Sequence, residues 1–138
     1  MYDIYYAHHQ WKYNTPIEEY EIGLIKRYFP NATVFNPATD LITKDSGDES
    51  VIMAECLDRV IESDILVYSS VNGCVGAGVY QEVAEAMRQG KIIFYIYQDK
   101  LMSSNMFVIS ERSKNDRTNR MYANVRLKTW EETVWDAL

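Results

Sequence analysis

Cysteine is scarce in this chain of 138 residues. The two present, Cys56 and Cys74, make no disulfide framework, and no Cys-x-x-Cys pair is available to hold zinc. A reducing, cytoplasmic setting is the plain expectation. Histidine is just as sparse: His8 and His9 are the only two, so a His-only metal site lacks ligands at useful spacing. No apolar run approaches the roughly 18 residues of a membrane span. The opening MYDIYYAHHQ has neither the basic nor the apolar segment of a signal peptide. Excess positive charge is missing too. The net charge is -6, which argues against a nucleic-acid binder.

What is present is globular. Hydrophobic residues make up 47% and charged residues 25%. A chain of this length buries roughly 68% of its unfolded surface, enough for a core without staples. One domain over residues 1–138 is expected, with no repeat or linker. Charge is uneven: Arg112, Lys114, Arg117, Arg120, Arg126 and Lys128 stand against Glu111 and Asp116. That stretch either faces an anionic ligand or is a solvated loop.

Strands and helices alternate along the chain. Residues 2–7 read as a buried strand followed by the polar-aromatic loop HHQWKYN. Thr15, Pro16 and Glu18 form a capping-box start for a first helix. Its apolar stripe is Ile17, Tyr20, Leu24 and Tyr28, flanked by Ile22, Ile25 and Phe29. Residues 33–35 give a second strand, broken at Asn36-Pro37, and a polar loop follows. A second helix spans about 49–62 and a third strand begins at Asp64, apolar along its length as buried parallel strands are. After the loop SSVNGCVGAG a third helix spans about 78–89 and ends at Gly90. Residues 91–97 form the strongest strand. Residues 106–110 and 122–127 look extended, and Thr129 opens a short terminal helix. This alternation predicts an α/β fold: a small doubly wound sheet of four or five mainly parallel strands, order 2-1-3-4-5, with helices on both faces.

In such sheets ligands sit beyond the carboxyl ends of the strands. Three loops gather there: 8–14, 36–48 and 69–78. The last is the most informative. Gly73, Gly76 and Gly78 let backbone approach a ligand closely, and the following helix N-terminus suits a phosphate or a carboxylate. The spacing is neither the Rossmann fingerprint nor a Walker motif, and a tight structural turn explains the glycines equally well. Glu82 lies about 60° from the centre of its helix's buried stripe, at the rim of the core, whereas Glu85, about 120° away, should be solvated. Glu82 is either aimed at a ligand or a first-turn acid favoured by the helix dipole.

The segment VGAGVYQEVAEAMRQGKIIFYI resembles the signature of the nucleoside 2-deoxyribosyltransferase-like family. Ile4–Ala7, Asn36-Pro37 and Ser63–Val67 are similar to that family's first strand, second strand end and third strand, so the resemblance covers about residues 1–97. It implies cleavage or transfer at the N-glycosidic bond of a nucleoside or nucleotide, without cofactor or metal. Glu82 then matches the nucleophile and Tyr5 the tyrosine that orients it. The Gly76/Gly78 backbone, with Ser69 and Asn72 in the same loop, matches the sugar and phosphate side. Two positions depart from the family: Cys74 stands where an acid precedes the glycine loop, and the second-helix aspartate falls near Cys56. A non-catalytic nucleotide-binding module of the same fold is therefore the alternative.

Around that pair, His8 or His9 can protonate a leaving base or contact a phosphate, or be an ordinary loop histidine. Asp40 can accept from a base edge or cap the turn after Asn36. Trp11 and Tyr13 can stack on a base or lie in a subunit interface. Tyr5, one histidine, Asn36 or Asp40, and Glu82 are expected around one cleft. The 11 tyrosines and 3 tryptophans, with the family analogy, point to a homo-oligomer in which residues 102–106 reach a neighbour's site. The partners expected are thus a small nucleoside or nucleotide and further copies of the chain, with neither nucleic acid nor membrane.

Overall fold

The computed structural model describes residues 1–71, 74–103 and 125–126. Its elements in chain order are β1 (Asp3–Ala7), a 3-10 turn (Gln10–Lys12), α1 (Pro16–Tyr28), β2 (Thr33–Phe35), α2 (Pro37–Asp40) and α3 (Glu49–Glu62). There follow β3 (Ile65–Tyr68), β4 (Cys74–Val75), α4 (Ala77–Arg88), β5 (Ile92–Tyr97), β6 (Lys100–Ser103) and β7 (Val125–Arg126).

Five strands form one sheet in the order β2-β1-β3-β5-β6. The first four run parallel, with Tyr5 opposite Phe35 on one side and Leu66 on the other; β6 runs antiparallel to β5. The expected doubly wound α/β sheet is therefore present. Alternation along each strand decides what each face carries. Tyr5, Ala7, Leu66, Tyr68 and Ile93 meet Cys56 and Val60 of α3 and Val79, Val83 and Ala86 of α4. Ile4, Tyr6, Ile65 and Val67 meet Leu24 and Ile25 of α1 together with Leu101 of β6. Tyr5 and Tyr6 are neighbours in sequence and fully buried, yet they face opposite layers.

The helix ends follow their sequence signals. Thr15 caps α1 by accepting from Glu18 N at 3.3 Å, and Pro16 occupies the first turn. Asp48 caps α3 by accepting from Ser50 N at 2.9 Å. Beyond α4, Gly90 sits at φ 69°, the left-handed position that ends many helices and favours glycine. Among the described residues no helix is long and apolar enough to cross a membrane.

Three local expectations are corrected. The stripe Ile17, Tyr20, Tyr28 on α1 is largely exposed, at 56%, 47% and 47%, whereas Glu18 and Glu21 are buried beside Leu24 and Ile25. The helix is rolled toward its acids because they have buried partners. Residues 37–40 are not plain loop: Pro37 and the Asn36 cap nucleate one helical turn. Met102 and Ser103 belong to β6, because Gln98 and Asp99 turn the chain back on itself with φ 48° and 64°, and residues 104–106 lie outside the described residues. Glu85 is 8% exposed rather than solvated, held by Arg88 and Gln89. Of the segment 122–127, Val125–Arg126 is extended and pairs antiparallel with Cys74–Val75. Residues 106–110 and the terminal helix from Thr129 lie outside the described residues.

Candidate functional site

Glu82 rises from the third residue of the second turn of α4, which Gly76 starts and Gly78 brings close to α3. A Cβ on Gly78 would stand 3.3 Å from Met53 Cε, so this glycine serves helix packing. Gly76 is the N-cap residue at φ -72°, a conformation open to any residue. The close approach of α4 to α3 and to β1 puts the Glu82 carboxylate, 5% exposed, against the Tyr5 hydroxyl, which donates to it. The Cys56 thiol of α3 is close enough to this carboxylate to bear on its charge.

Burial governs the electrostatics here. Desolvation raises Glu82 from 4.5 to about 7, and the Tyr5 hydroxyl and the Cys56 thiol pull the other way. Cys56 is pushed up to about 12, first by burial and then by the Glu82 charge. Tyr5 is pushed well above its ordinary value, by burial and then by Glu82. The phenol of Tyr13, in the loop after β1, is likewise raised by burial and then by Glu82, Cys56 and Glu18, which puts it within electrostatic reach of all three. Phe35 stacks on Tyr5 at 5.6 Å, and the Arg59 guanidinium lies 4.9 Å from the Phe35 ring. A hydrated surface carboxylate has none of these properties. This one is poised between protonation states near neutral pH, with a phenol and a thiol as its neighbours.

The remaining expected site residues spread over other tasks. His8 is buried on the α1 face: its Nε2 is 2.6 Å from Glu18 Oε2 and its Nδ1 is 3.1 Å from the Tyr6 carbonyl. His9 caps the 3-10 turn, its Nδ1 accepting from Trp11 N at 3.0 Å. Asn36 Oδ1 accepts from Ala38 N, and Asp40 Oδ2 accepts from Asn36 N at 2.8 Å, so the pair closes its own turn at the end of β2. Ser69 Oγ donates to Glu21 at 2.8 Å and accepts from Lys12 Nζ at 2.9 Å. Asn72 lies outside the described residues. Of the expected set, Tyr5 and Glu82 are the two in direct contact.

Sequence reasoning missed a second polar cluster across the sheet from Glu82. Lys12 Nζ donates to Glu21 at 3.0 Å, to Ser69 Oγ and to the Ser70 carbonyl, while the Tyr6 hydroxyl donates to Glu21. Three donors of one ammonium thus tie the loop after β1 to the loop after β3 and to α1. Every buried side-chain polar atom among the described residues has a partner. Glu18 and Glu21 stand three apart on a helix with an apolar stripe of its own, and no local signal marks them as buried. Among the described residues no group of three or more His, Cys, Asp or Glu is placed to hold a metal ion.

No protein-family model and no curated protein matches the chain. Among solved structures it is similar to a 2-desoxiribosyltransferase from Leishmania mexicana, with a TM-score of 0.51 and 12% identity over 94% of this chain and 80% of that one. At that identity the likeness is one of fold.

Proposed function

We propose that the chain cleaves or transfers at the N-glycosidic bond of a nucleoside or nucleotide, with Glu82 as nucleophile and Tyr5 as the residue that orients it. The observation that carries this reading is the buried Glu82 carboxylate accepting from the Tyr5 hydroxyl. The resemblance of residues 75–96 to the transferase-like family and the fold likeness to a 2-desoxiribosyltransferase support the same chemistry. In the reaction, one Glu82 oxygen bonds to the anomeric carbon as the carbon–nitrogen bond breaks. The bond's electron pair leaves with the base, which takes up a proton. Water or a second base then attacks the anomeric carbon and releases the carboxylate. Gly76, Gly78 and Asn72 are proposed on the sugar and phosphate side, and His9, Asn36 and Asp40 around the base. Residues 1–138 act as one domain, and copies of it associate.

One observation favours the other reading, a nucleotide-binding module without turnover. The groups beside the Glu82 carboxylate are a phenol and a thiol, not a second carboxyl group that would protonate a departing base. Base release from a nucleoside and nucleotide panel, followed by chromatography, separates the two. Free base from at least one compound supports the enzyme, whereas a ligand-induced rise in melting temperature without base release supports the module.

A further inference from the structure

Gly23 sits in the interior of α1, where glycine costs helix stability relative to alanine. Its backbone does not require glycine: among the described residues Gly90 is the glycine at positive φ. The packing of its own chain does not require it either. Gly23 is exposed, and among the described residues nothing lies within 4 Å of the place a Cβ would take. Gly78, by contrast, keeps space for Met53. A glycine that the fold does not use leaves its space free for a group from outside the chain.

The residues around Gly23 say what fits. At about 100° per residue, Glu19 and Lys26 lie about 40° and 60° to one side of it, and Tyr20 and Arg27 about 60° and 40° to the other. All four are exposed, while Glu18, Glu21, Leu24 and Ile25 are buried on the rest of the helix. None of the ion pairs among the described residues engages Glu19, Lys26 or Arg27. The Arg27 guanidinium lies 5.9 Å from the Tyr20 ring. This face is complementary to itself. A second copy set antiparallel about a two-fold axis at Gly23 brings Glu19 to the partner's Lys26 along one edge. Along the other edge Tyr20 meets the partner's Arg27, a guanidinium over a phenol ring. On the axis the two glycines let the helices approach closely. Every contact occurs twice, as an isologous interface requires. A parallel copy would instead set Lys26 against the partner's Arg27.

We propose that the outer face of α1 is a self-association surface: two copies of this chain pair antiparallel through Glu19, Tyr20, Lys26 and Arg27 and cross at Gly23. The face is one helix wide and half polar, so the pair is a reversible dimer rather than an obligate one. α1 covers the sheet face opposite α3 and α4, so the contact leaves the Glu82 layer uncovered. The proposal rests on the association of copies proposed above and not on the chemistry of Glu82.

The test is sedimentation velocity of the full chain from about 1 to 100 micromolar. The wild type should move from one chain mass toward two. Gly23→Gln brings a better helix former to a position with open space. It should keep or raise the melting midpoint in dilute solution, yet stay monomeric throughout. Glu19→Lys and Lys26→Glu should each raise the dissociation constant by about tenfold or more, because like charges then meet twice in each pair. An equimolar mixture of these two variants should dimerise again, since every lysine then faces a glutamate. A wild type that stays monomeric, leaving the face to a different partner, overturns the proposal. So does a dimer indifferent to Gly23→Gln and to both charge reversals, which puts the association on another face. A mixture that stays monomeric overturns the antiparallel pairing. A lower melting midpoint of dilute Gly23→Gln gives the glycine a role inside the fold and overturns it as well. Base release enters none of these measurements, so the reading of Glu82 stands or falls separately.

Discussion

The hydroxyl of Tyr5, on the first strand, donates to the carboxylate of Glu82, on the last of the four described helices, across 77 positions of sequence. The bond runs through the layer between the sheet and α4, where neither residue meets bulk water. A buried carboxylate in this position costs stability when ionised, and the Tyr5 hydroxyl offsets part of that cost. A pair whose charged form the fold partly opposes and partly supports is suited to a reaction that makes and breaks a bond at the carboxylate.

Tyr5→Phe removes the donor and keeps the ring that stacks on Phe35. The Tyr5 bond lowers the Glu82 pKa, so its loss moves that pKa upward from about 7. The acid limb of the activity profile should shift to higher pH. A 13C titration of Glu82 that stays at the wild-type midpoint would contradict this.

Stability should carry the same signature. Glu82 is raised from 4.5 to about 7 in the folded chain, so the folded state holds a proton that the unfolded state has released over that window. The stabilisation is fully present below about pH 4.5 and is lost as pH rises through 7. It amounts to ~3 kcal/mol. Glu82→Gln should lack this slope in urea-unfolding curves taken across the same window.

Lys12→Met should be severe. It leaves the Glu21 carboxylate, 6% exposed, with no cation, and breaking a buried pair from one side costs about 3–5 kcal/mol. Lys12→Met combined with Glu21→Gln should recover part of that loss, and the thermal midpoints of the single and double variants measure how much.

Cys56 should be chemically quiet. Its thiol is pushed up to about 12 and is 4% exposed, so almost no thiolate exists at neutral pH. Iodoacetamide should leave Cys56 unmodified in the native protein and label it in urea, as read by peptide mass mapping.

Much of the framework was legible because its signals are local. Apolar runs at 65–68 and 92–97, the Thr15-Pro16 cap and Gly90 after α4 each act within a few residues, and the elements fall where these signals put them. Glu82 stood out from helix geometry and from the family-like segment around it. The hairpin at Gln98-Asp99 was hidden because it has no glycine, although both residues adopt positive φ. The burial of Glu18 and Glu21 was hidden for a different reason. Their partners, His8, Lys12, Tyr6 and Ser69, come from the first strand, the loop after it and the loop after β3, and Ser69 is 48 positions from Glu21. Only tertiary packing brings such groups together. For the same reason an exposed stripe of Ile17, Tyr20 and Tyr28 passed for the buried face of α1.

The central claim is that the Glu82 carboxylate does the chemistry, and its most direct measurement is base release by the wild type beside Glu82→Gln. The amide keeps shape and still accepts from Tyr5, but it is a poor nucleophile. The account predicts that turnover of the best nucleoside or nucleotide falls by about three orders of magnitude or more while ligand affinity changes little, because the carboxylate acts mainly on charge that develops in the transition state. Glu82→Gln releasing base at the wild-type rate would contradict it.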